Sequence, residues 1–244
     1  MEKNKLEVVL TPALLPLYEV KGKVVVIIDI LRATTSMCVA FETGVQKILP
    51  VLSPEEGKLF KDFDFLCAAE RNAVKVQGAD LGNSPFEFQN PLLKDRSIAF
   101  TTTNGTKAIK AAKEQGAAVI AIGSFLNLDA LCNWLVKQQK SALLVCAGWK
   151  DKFNLEDTLF AGAVVEQVEN HFTIECDSAL AAGILYTSNK NNLEKLVRKS
   201  SHAQRFKLTN ANEDDVQFCL KHNTIKLVPV MQGEYIVCPS QAHT

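Results

Sequence analysis

The order of apolar and polar positions predicts strands and helices in alternation. Val24 to Ile28 is an unbroken β-branched run that stops at Asp29. Ser97 to Thr101, Ala117 to Ile122 and Ala142 to Cys146 are short runs of the same kind. Uninterrupted apolar runs of this length suit strands buried on both faces. Helical spacing lies between them. Leu128, Leu131, Cys132, Leu135 and Val136 fall on one helix face behind Asn127, an N-cap candidate. Leu159, Phe160, Ala163, Val164 and Val168 repeat the pattern, and Ala108, Ile109, Ala111 and Ala112 follow Asn104, a second N-cap candidate. Strand-helix alternation implies right-handed crossovers, hence an α/β fold: a three-layer α/β/α arrangement with a largely parallel central sheet. One domain over residues 1–244 is expected. Within it, residues 178–220 read as successive short helices, and 225–230 with 234–237 as a strand pair around Gln232-Gly233, so that 178–244 forms a possible C-terminal subregion.

Composition narrows the function classes. The chain has 244 residues, 47% hydrophobic and 22% charged, which is globular and not disordered. Its 27 basic residues balance 27 acidic ones; without a basic surplus, no nucleic-acid or membrane partner is expected. Met1-Glu2-Lys3-Asn4-Lys5 is charged and the chain breaks at Pro12 and Pro16, unlike a secretory signal, and no apolar run approaches a membrane span. A cytoplasmic location follows as an expectation, with a homodimer as the default assembly. The seven cysteines are widely spaced without a C-x-x-C pair, so they read as reduced core residues. The four histidines, His171, His202, His222 and His243, lack metal-like spacing and read as solvated or core residues. No dinucleotide, Walker A or H-E-x-x-H motif occurs.

Candidate chemistry concentrates where the strands end, the edge at which open α/β sheets bind ligands. Four segments share this placement. In Asp29-Ile30-Leu31-Arg32-Ala33-Thr34-Thr35, an aspartate directly after an apolar strand needs a partner, and Arg32, Thr34 and Thr35 approach a helix N-terminus suited to an anion. In Glu70-Arg71 and Asp80-Leu81-Gly82-Asn83-Ser84-Pro85, Glu70 and Asp80 are candidates to share a divalent cation, against the alternative of a turn and a helix capped by Ser84. In Thr101-Thr102-Thr103-Asn104-Gly105-Thr106-Lys107, hydroxyls, an amide and helix N–H groups form a second anion cradle. Cys146-Ala147-Gly148-Trp149 precedes Glu156-Asp157, which are candidates for a metal ligand or general base, or simply complements of a helix dipole. Cys146 lacks the C-x₅-R loop of a cysteine phosphatase because position 152 is Lys. Asp29 lacks the second aspartate two residues on that haloacid-dehalogenase-type phosphatases use, since Leu31 stands there.

The ordered set of these segments, with Phe160-Ala161-Gly162, Ser200-Ser201-His202 and Glu213-Asp214-Asp215, resembles the 2-phosphosulfolactate phosphatase (ComB-like) family over nearly the whole chain. The resemblance implies an α/β phosphatase dependent on Mg²⁺ that converts 2-phospho-3-sulfolactate to 3-sulfolactate and phosphate, on a route to coenzyme M. This chain departs from the family at Ala69 and Asn72, where glycines often flank the Glu-Arg pair, and at Lys107, where Arg is common. On this reading Asp29, Arg32, Glu156 and Asp157 are catalytic, with Asp29 a ligand or nucleophile and Glu156 or Asp157 a base or further ligand. Asp29, Glu70, Asp80 and Glu156 are the metal candidates. Arg32, Thr34, Thr35, Arg71, Asn83, Ser84, Thr101, Thr102, Asn104, Gly105, Lys107, Cys146 and Gly148 bind a small anionic phosphoester. Two other readings fit the same residues: a phosphatase for another small 2-phospho carboxylic acid, and a non-catalytic anion-binding protein.

Overall fold

The all-apolar run 24–28 explains the architecture. Val24, Val26 and Ile28 pack into one hydrophobic cluster and Val25 and Ile27 into another, so this strand is covered on both faces. A computed structural model describes residues 3–102, 104–209 and 212–239; Thr103 and His243 lie outside them. Its strands are β1 (Leu6–Val9), β2 (Val24–Ile28), β3 (Lys47–Pro50), β4 (Phe65–Arg71), β5 (Val74–Lys75), β6 (Ser97–Thr101), β7 (Val119–Gly123), β8 (Ala142–Cys146), β9 (Val230–Gln232) and β10 (Tyr235–Val237). Its helices are α1 (Ala33–Glu42), α2 (Pro54–Leu59), α3 (Gly105–Glu114), α4 (Leu128–Gln138), α5 (Leu155–Val168), α6 (Asp177–Asn189), α7 (Leu193–Val197), α8 (Ser201–Thr209) and α9 (Asp214–Cys219). The strands form one sheet in the order β1-β8-β2-β7-β9-β10-β3-β6-β4-β5. Side chains of α4 to α9 fill one face and those of α1 and α3 the other, giving the expected three layers.

The sheet is mostly parallel but has two senses. β1, β8, β2 and β7 are parallel, as are β3, β6 and β4. The hairpin β9–β10 lies between the two sets and pairs antiparallel to both β7 and β3. Three antiparallel steps therefore reverse one set relative to the other. The hairpin turns on Gly233, whose φ of +61° suits a two-residue loop. The strand expected over 225–230 is shorter and later, because the chain joins the ladder only near Val230. Strands twist against their neighbours by roughly 20–25° in a fixed hand. Over the five steps from β2 to β6 this exceeds a right angle and turns opposed carboxyl ends toward one another. The segment after β6 closes the remaining gap: a Cβ on Gly105 would stand 3.0 Å from Asp29 Oδ2.

Both expected N-caps occupy the cap position, but with other partners. Asn127 Oδ1 accepts from Ser124 N at 2.9 Å while its amide reaches Leu227 O at 3.0 Å, tying α4 to the C-terminal segment. Asn104 Oδ1 accepts from Lys150 N at 3.1 Å. The C-terminal helices dock chiefly through α5 and α6, which meet at Gly162. A Cβ there would overlap the Ala182 carbonyl and come within 2.8 Å of Tyr186 Cβ. Gly162→Ala is expected to destabilise the fold by about 1–3 kcal/mol, lowering the thermal midpoint by several degrees. Thermal unfolding of the variant checks this; an unchanged midpoint would mean that α6 moves aside without cost.

Candidate active site

The end of β2 is fixed before any ligand is considered. Thr34 Oγ1 bonds to Asp29 O and accepts from Asp29 N, both at 3.0 Å, and Thr35 Oγ1 donates to Ile30 O at 3.0 Å. Thr34 N donates to Asp29 O at 3.0 Å, and the Ala33 N–H lies against the Asp29 carboxylate. Thr34 and Thr35, expected to bind substrate, thus have hydroxyls engaged by the loop backbone and are not among the residues lining the cleft, and the first N–H groups of α1 turn to Asp29. The Asp157 carboxylate spans two strand ends, taking Ile30 N at 2.9 Å and Gly148 N at 3.0 Å. Both oxygens of Asp157, expected as a base or further ligand, are thereby engaged in holding backbone. Gly148, at φ +61°, lets the next turn approach, since a Cβ would strike the Lys152 carbonyl.

These ends frame a cleft of about 240 Å³ lined by Asp29, Arg32, Glu70, Asn83, Thr102 and Asn104, and by Trp149, His202, Arg205 and Phe206. The first six come from three of the four predicted segments; the fourth contributes Trp149 directly and Glu156 through His202. Arg32 is buried, forms an ion pair with Asp215, donates to Ala73 O at 3.1 Å and faces the Phe206 ring at 4.8 Å. Asp215 also accepts from Ser84 Oγ at 2.7 Å, so Ser84 acts on the site through Asp215 and does not line the cleft. Glu70 accepts from Ala73 N, which joins Glu70, Ala73 and Arg32 into one wall. Glu156 is fully buried in the first turn of α5 and accepts from His202 Nδ1 at 2.7 Å.

Several expected residues are placed elsewhere. Asp80, expected as a metal candidate, pairs with Lys61 at 2.8 Å and accepts from Cys67 N at 2.8 Å, and it is not among the residues lining the cleft. Arg71 turns to Glu70 O at 2.6 Å and Thr101 Oγ1 at 3.2 Å, which engages both Arg71 and Thr101 outside the cleft lining. Lys107 is exposed beyond it. Cys146 is buried, and burial followed by the Asp157 charge pushes its thiol well above the usual range, so it offers no thiolate. Gly105 belongs to the site by its closeness to Asp29, and Gly148 by its bond to Asp157.

Sequence reasoning missed the contribution of α8. His202, Arg205 and Phe206 share one helix face at i, i+3 and i+4 and all three line the cleft. That spacing was the available signal, but nothing local distinguishes it from a helix packed into a core. Ser200-Ser201-His202 and Glu213-Asp214-Asp215 were marked by family resemblance alone, and the structure brings His202 and Asp215 to the same site.

The electrostatics are those of crowded carboxylates. Burial above all, reinforced by Glu70 and Glu156 and opposed by His202, pushes Asp29 up to about 6. Burial, then the Asp29 and Glu156 charges, push Asp157 well above the carboxylate range. Burial also acts to raise Glu156, but the His202 hydrogen bond and charge outweigh it and hold Glu156 below its usual value. Among the described residues no three His, Cys, Asp or Glu side chains converge as a metal-binding group. Asp29 and Glu70 line the cleft with their carboxylates, as do the residues Thr102 and Asn83, whose Oγ1 and Oδ1 are buried without a hydrogen-bond partner among the described residues. Hard oxygens of this kind fit a Mg²⁺ ion that fills its remaining positions with water and substrate oxygens.

A sequence model described as 2-phosphosulpholactate phosphatase matches residues 9–234. Similar proteins, each named "Probable 2-phosphosulfolactate phosphatase", occur in several bacteria. That of Caldanaerobacter subterraneus subsp. tengcongensis is 37% identical over 88% of this chain and 90% of its own length. The Symbiobacterium thermophilum protein is 38% identical over 91% of this chain and 97% of its own. The Thermotoga petrophila protein is 38% identical over 91% and 95%.

The raised Asp29 value has a consequence for stability. Its proton is held more tightly in the folded state than at the ordinary 3.8. Its stabilising contribution is therefore complete below about 3.8 and lost as pH rises through about 6. At pH 8 without metal, Asp29→Asn is expected to raise the unfolding midpoint by several degrees, up to about 3 kcal/mol, with a smaller gain at pH 5. Thermal unfolding in EDTA at both pH values checks the sign; a lower midpoint at pH 8 would show that the charged carboxylate is well accommodated.

Proposed function

The chain belongs to the 2-phosphosulpholactate phosphatase family, which makes it a phosphoric monoester hydrolase, and on that premise we propose that its cleft hydrolyses 2-phospho-3-sulfolactate to 3-sulfolactate in a Mg²⁺-dependent reaction. The product would serve sulfonate synthesis of the coenzyme M type. The observation that carries this reading is the convergence of Asp29, Glu70, Arg32, Thr102 and His202 on one small cleft from strand ends far apart in the sequence.

Phosphate monoesters hydrolyse extremely slowly in water, so catalysis must come from positioning and charge stabilisation. Asp29 and Glu70 would hold Mg²⁺, which would supply Lewis-acid stabilisation to the phosphoryl oxygens. Arg32 presents a guanidinium already oriented by Asp215, Ala73 and Phe206, so little side-chain freedom is lost when it meets the phosphoryl group. Thr102 and Asn83 offer short polar side chains beside it. Asp29 acts at the centre as ligand or nucleophile. His202 has Nδ1 fixed on Glu156, which leaves Nε2 to carry the proton that the departing 2-oxygen takes up. The His202 hydrogen bond and charge hold Glu156 below its usual value.

Phosphate release from 2-phospho-3-sulfolactate is expected to require Mg²⁺ and to stop in EDTA. Asp29→Asn should lower kcat by more than about 100-fold, and His202→Asn by roughly 100-fold. A phosphate-release assay checks all three; Mg²⁺-independent release, or full activity of Asp29→Asn, would overturn the mechanism. Trapping a phosphoenzyme in a single turnover distinguishes attack by Asp29 from attack by water.

A further inference from the structure

The cleft is electrically divided, and the division points to the group that distinguishes this substrate from simpler phosphoesters. One wall carries Glu70, Ala73 and Arg32, with the Arg32 charge balanced by Asp215. The turn at 149–152 brings Trp149 to the same cleft. Trp149 N donates to Lys152 O at 3.0 Å and Lys152 N to Trp149 O at 3.1 Å, with Lys150 and Asp151 at φ +51° and +59° between them. Gly148 N on Asp157 and Lys150 N on Asn104 pin this turn to the floor of the site. On it the Trp149 ring faces two cations. The Arg205 guanidinium lies 3.9 Å from the ring centroid and the Lys150 ammonium 4.5 Å. Arg205 and Trp149 both line the cleft; Lys150 is exposed at its edge.

A 2-phosphorylated acid whose phosphate lies at Asp29, Glu70 and Arg32 needs a further contact in the cleft for the group on its third carbon. The acidic side of the site suits a cation and its phosphate; the cationic wall suits a second, permanently charged anion. Arg205 is half-buried, with Nη1 donating to Ser201 Oγ at 3.5 Å, and it lines the cleft beside the indole, where a planar guanidinium fork suits a sulfonate or carboxylate oxygen pair.

We propose that Arg205, stacked on Trp149, is a specificity-determining residue that receives the anionic group on carbon 3 of the substrate. This deepens the proposed function and rests on it. It explains why α8 presents Arg205 one turn beyond His202: one helix face carries the proton at the 2-oxygen and the charge at carbon 3.

The test compares kcat/KM for 2-phospho-3-sulfolactate with that for 2-phospholactate, which lacks only the sulfonate. Loss of a charge-assisted contact is worth about 10- to 100-fold. Arg205→Gln is expected to reduce the ratio of the two values by that factor, chiefly through KM of the sulfonated substrate. Arg205→Lys, which keeps the charge without the planar fork, should recover part of it. Wild-type protein should also be inhibited at least about tenfold more strongly by 3-sulfolactate than by lactate, which tests the contact without any variant. An unchanged ratio in Arg205→Gln, whether both substrates lose equally or neither does, overturns the assignment, as does equal inhibition by the two products. If wild-type protein releases phosphate from neither acid, the proposed function itself fails; release from both with an unchanged ratio leaves that function standing and removes only Arg205.

Discussion

One buried carboxylate holds the site together. Asp157, in the first turn of α5, accepts a hydrogen bond from the backbone beyond β2 with one oxygen and from the backbone beyond β8 with the other. The loop that carries Asp29 and Arg32 and the turn that carries Trp149 are therefore positioned by the same side chain. Backbone N–H groups at buried strand ends need an acceptor, and an apolar residue at position 157 would leave two of them without one. The neighbouring Glu156 extends the same helix start to His202. The first turn of α5 thus performs two tasks, one mechanical and one chemical, with consecutive carboxylates.

The cost is visible in the charges. Burial and mutual repulsion push Asp29 and Asp157 toward their neutral forms, while His202 keeps Glu156 ionised. A site of this kind is less stable alone than an apolar one of equal volume, and is made favourable by the ligand it binds. The same reasoning accounts for buried oxygens on Thr102 and Asn83, two residues of the cleft lining, that have no hydrogen-bond partner among the described residues.

Much of this was legible along the chain, and the reason is local. β2, β6 and β8 have the bounds their apolar runs predict, because a strand buried on both faces tolerates no polar interruption. Asp29, Glu70, Thr102 and Asn104 stood out because they follow such runs or short strands directly. What stayed hidden depends on distant contacts. Arg32 gains its orientation from Asp215, 183 positions later, and His202 gains its role from Glu156, 46 positions earlier. Thr34, Thr35 and Arg71 carry the right chemistry for anion binding but are engaged by nearby backbone or side chains. The hairpin itself was legible as a strand pair around Gln232-Gly233, but its place between the two parallel strand sets, and the reversal that results, leave no periodic signature.

That hairpin also sets an order for synthesis. β9 and β10 leave the ribosome after every other described element, yet they occupy the middle of the sheet, between β7 and β3. Until they emerge, the nascent chain holds two separate strand sets, each with an open edge where the other will be joined. Such edges are templates for wrong pairing. A chain cut short before Val230 would therefore retain nearly every residue of the cleft while lacking the seam that unites its halves, and would be far more prone to aggregate than its missing length suggests.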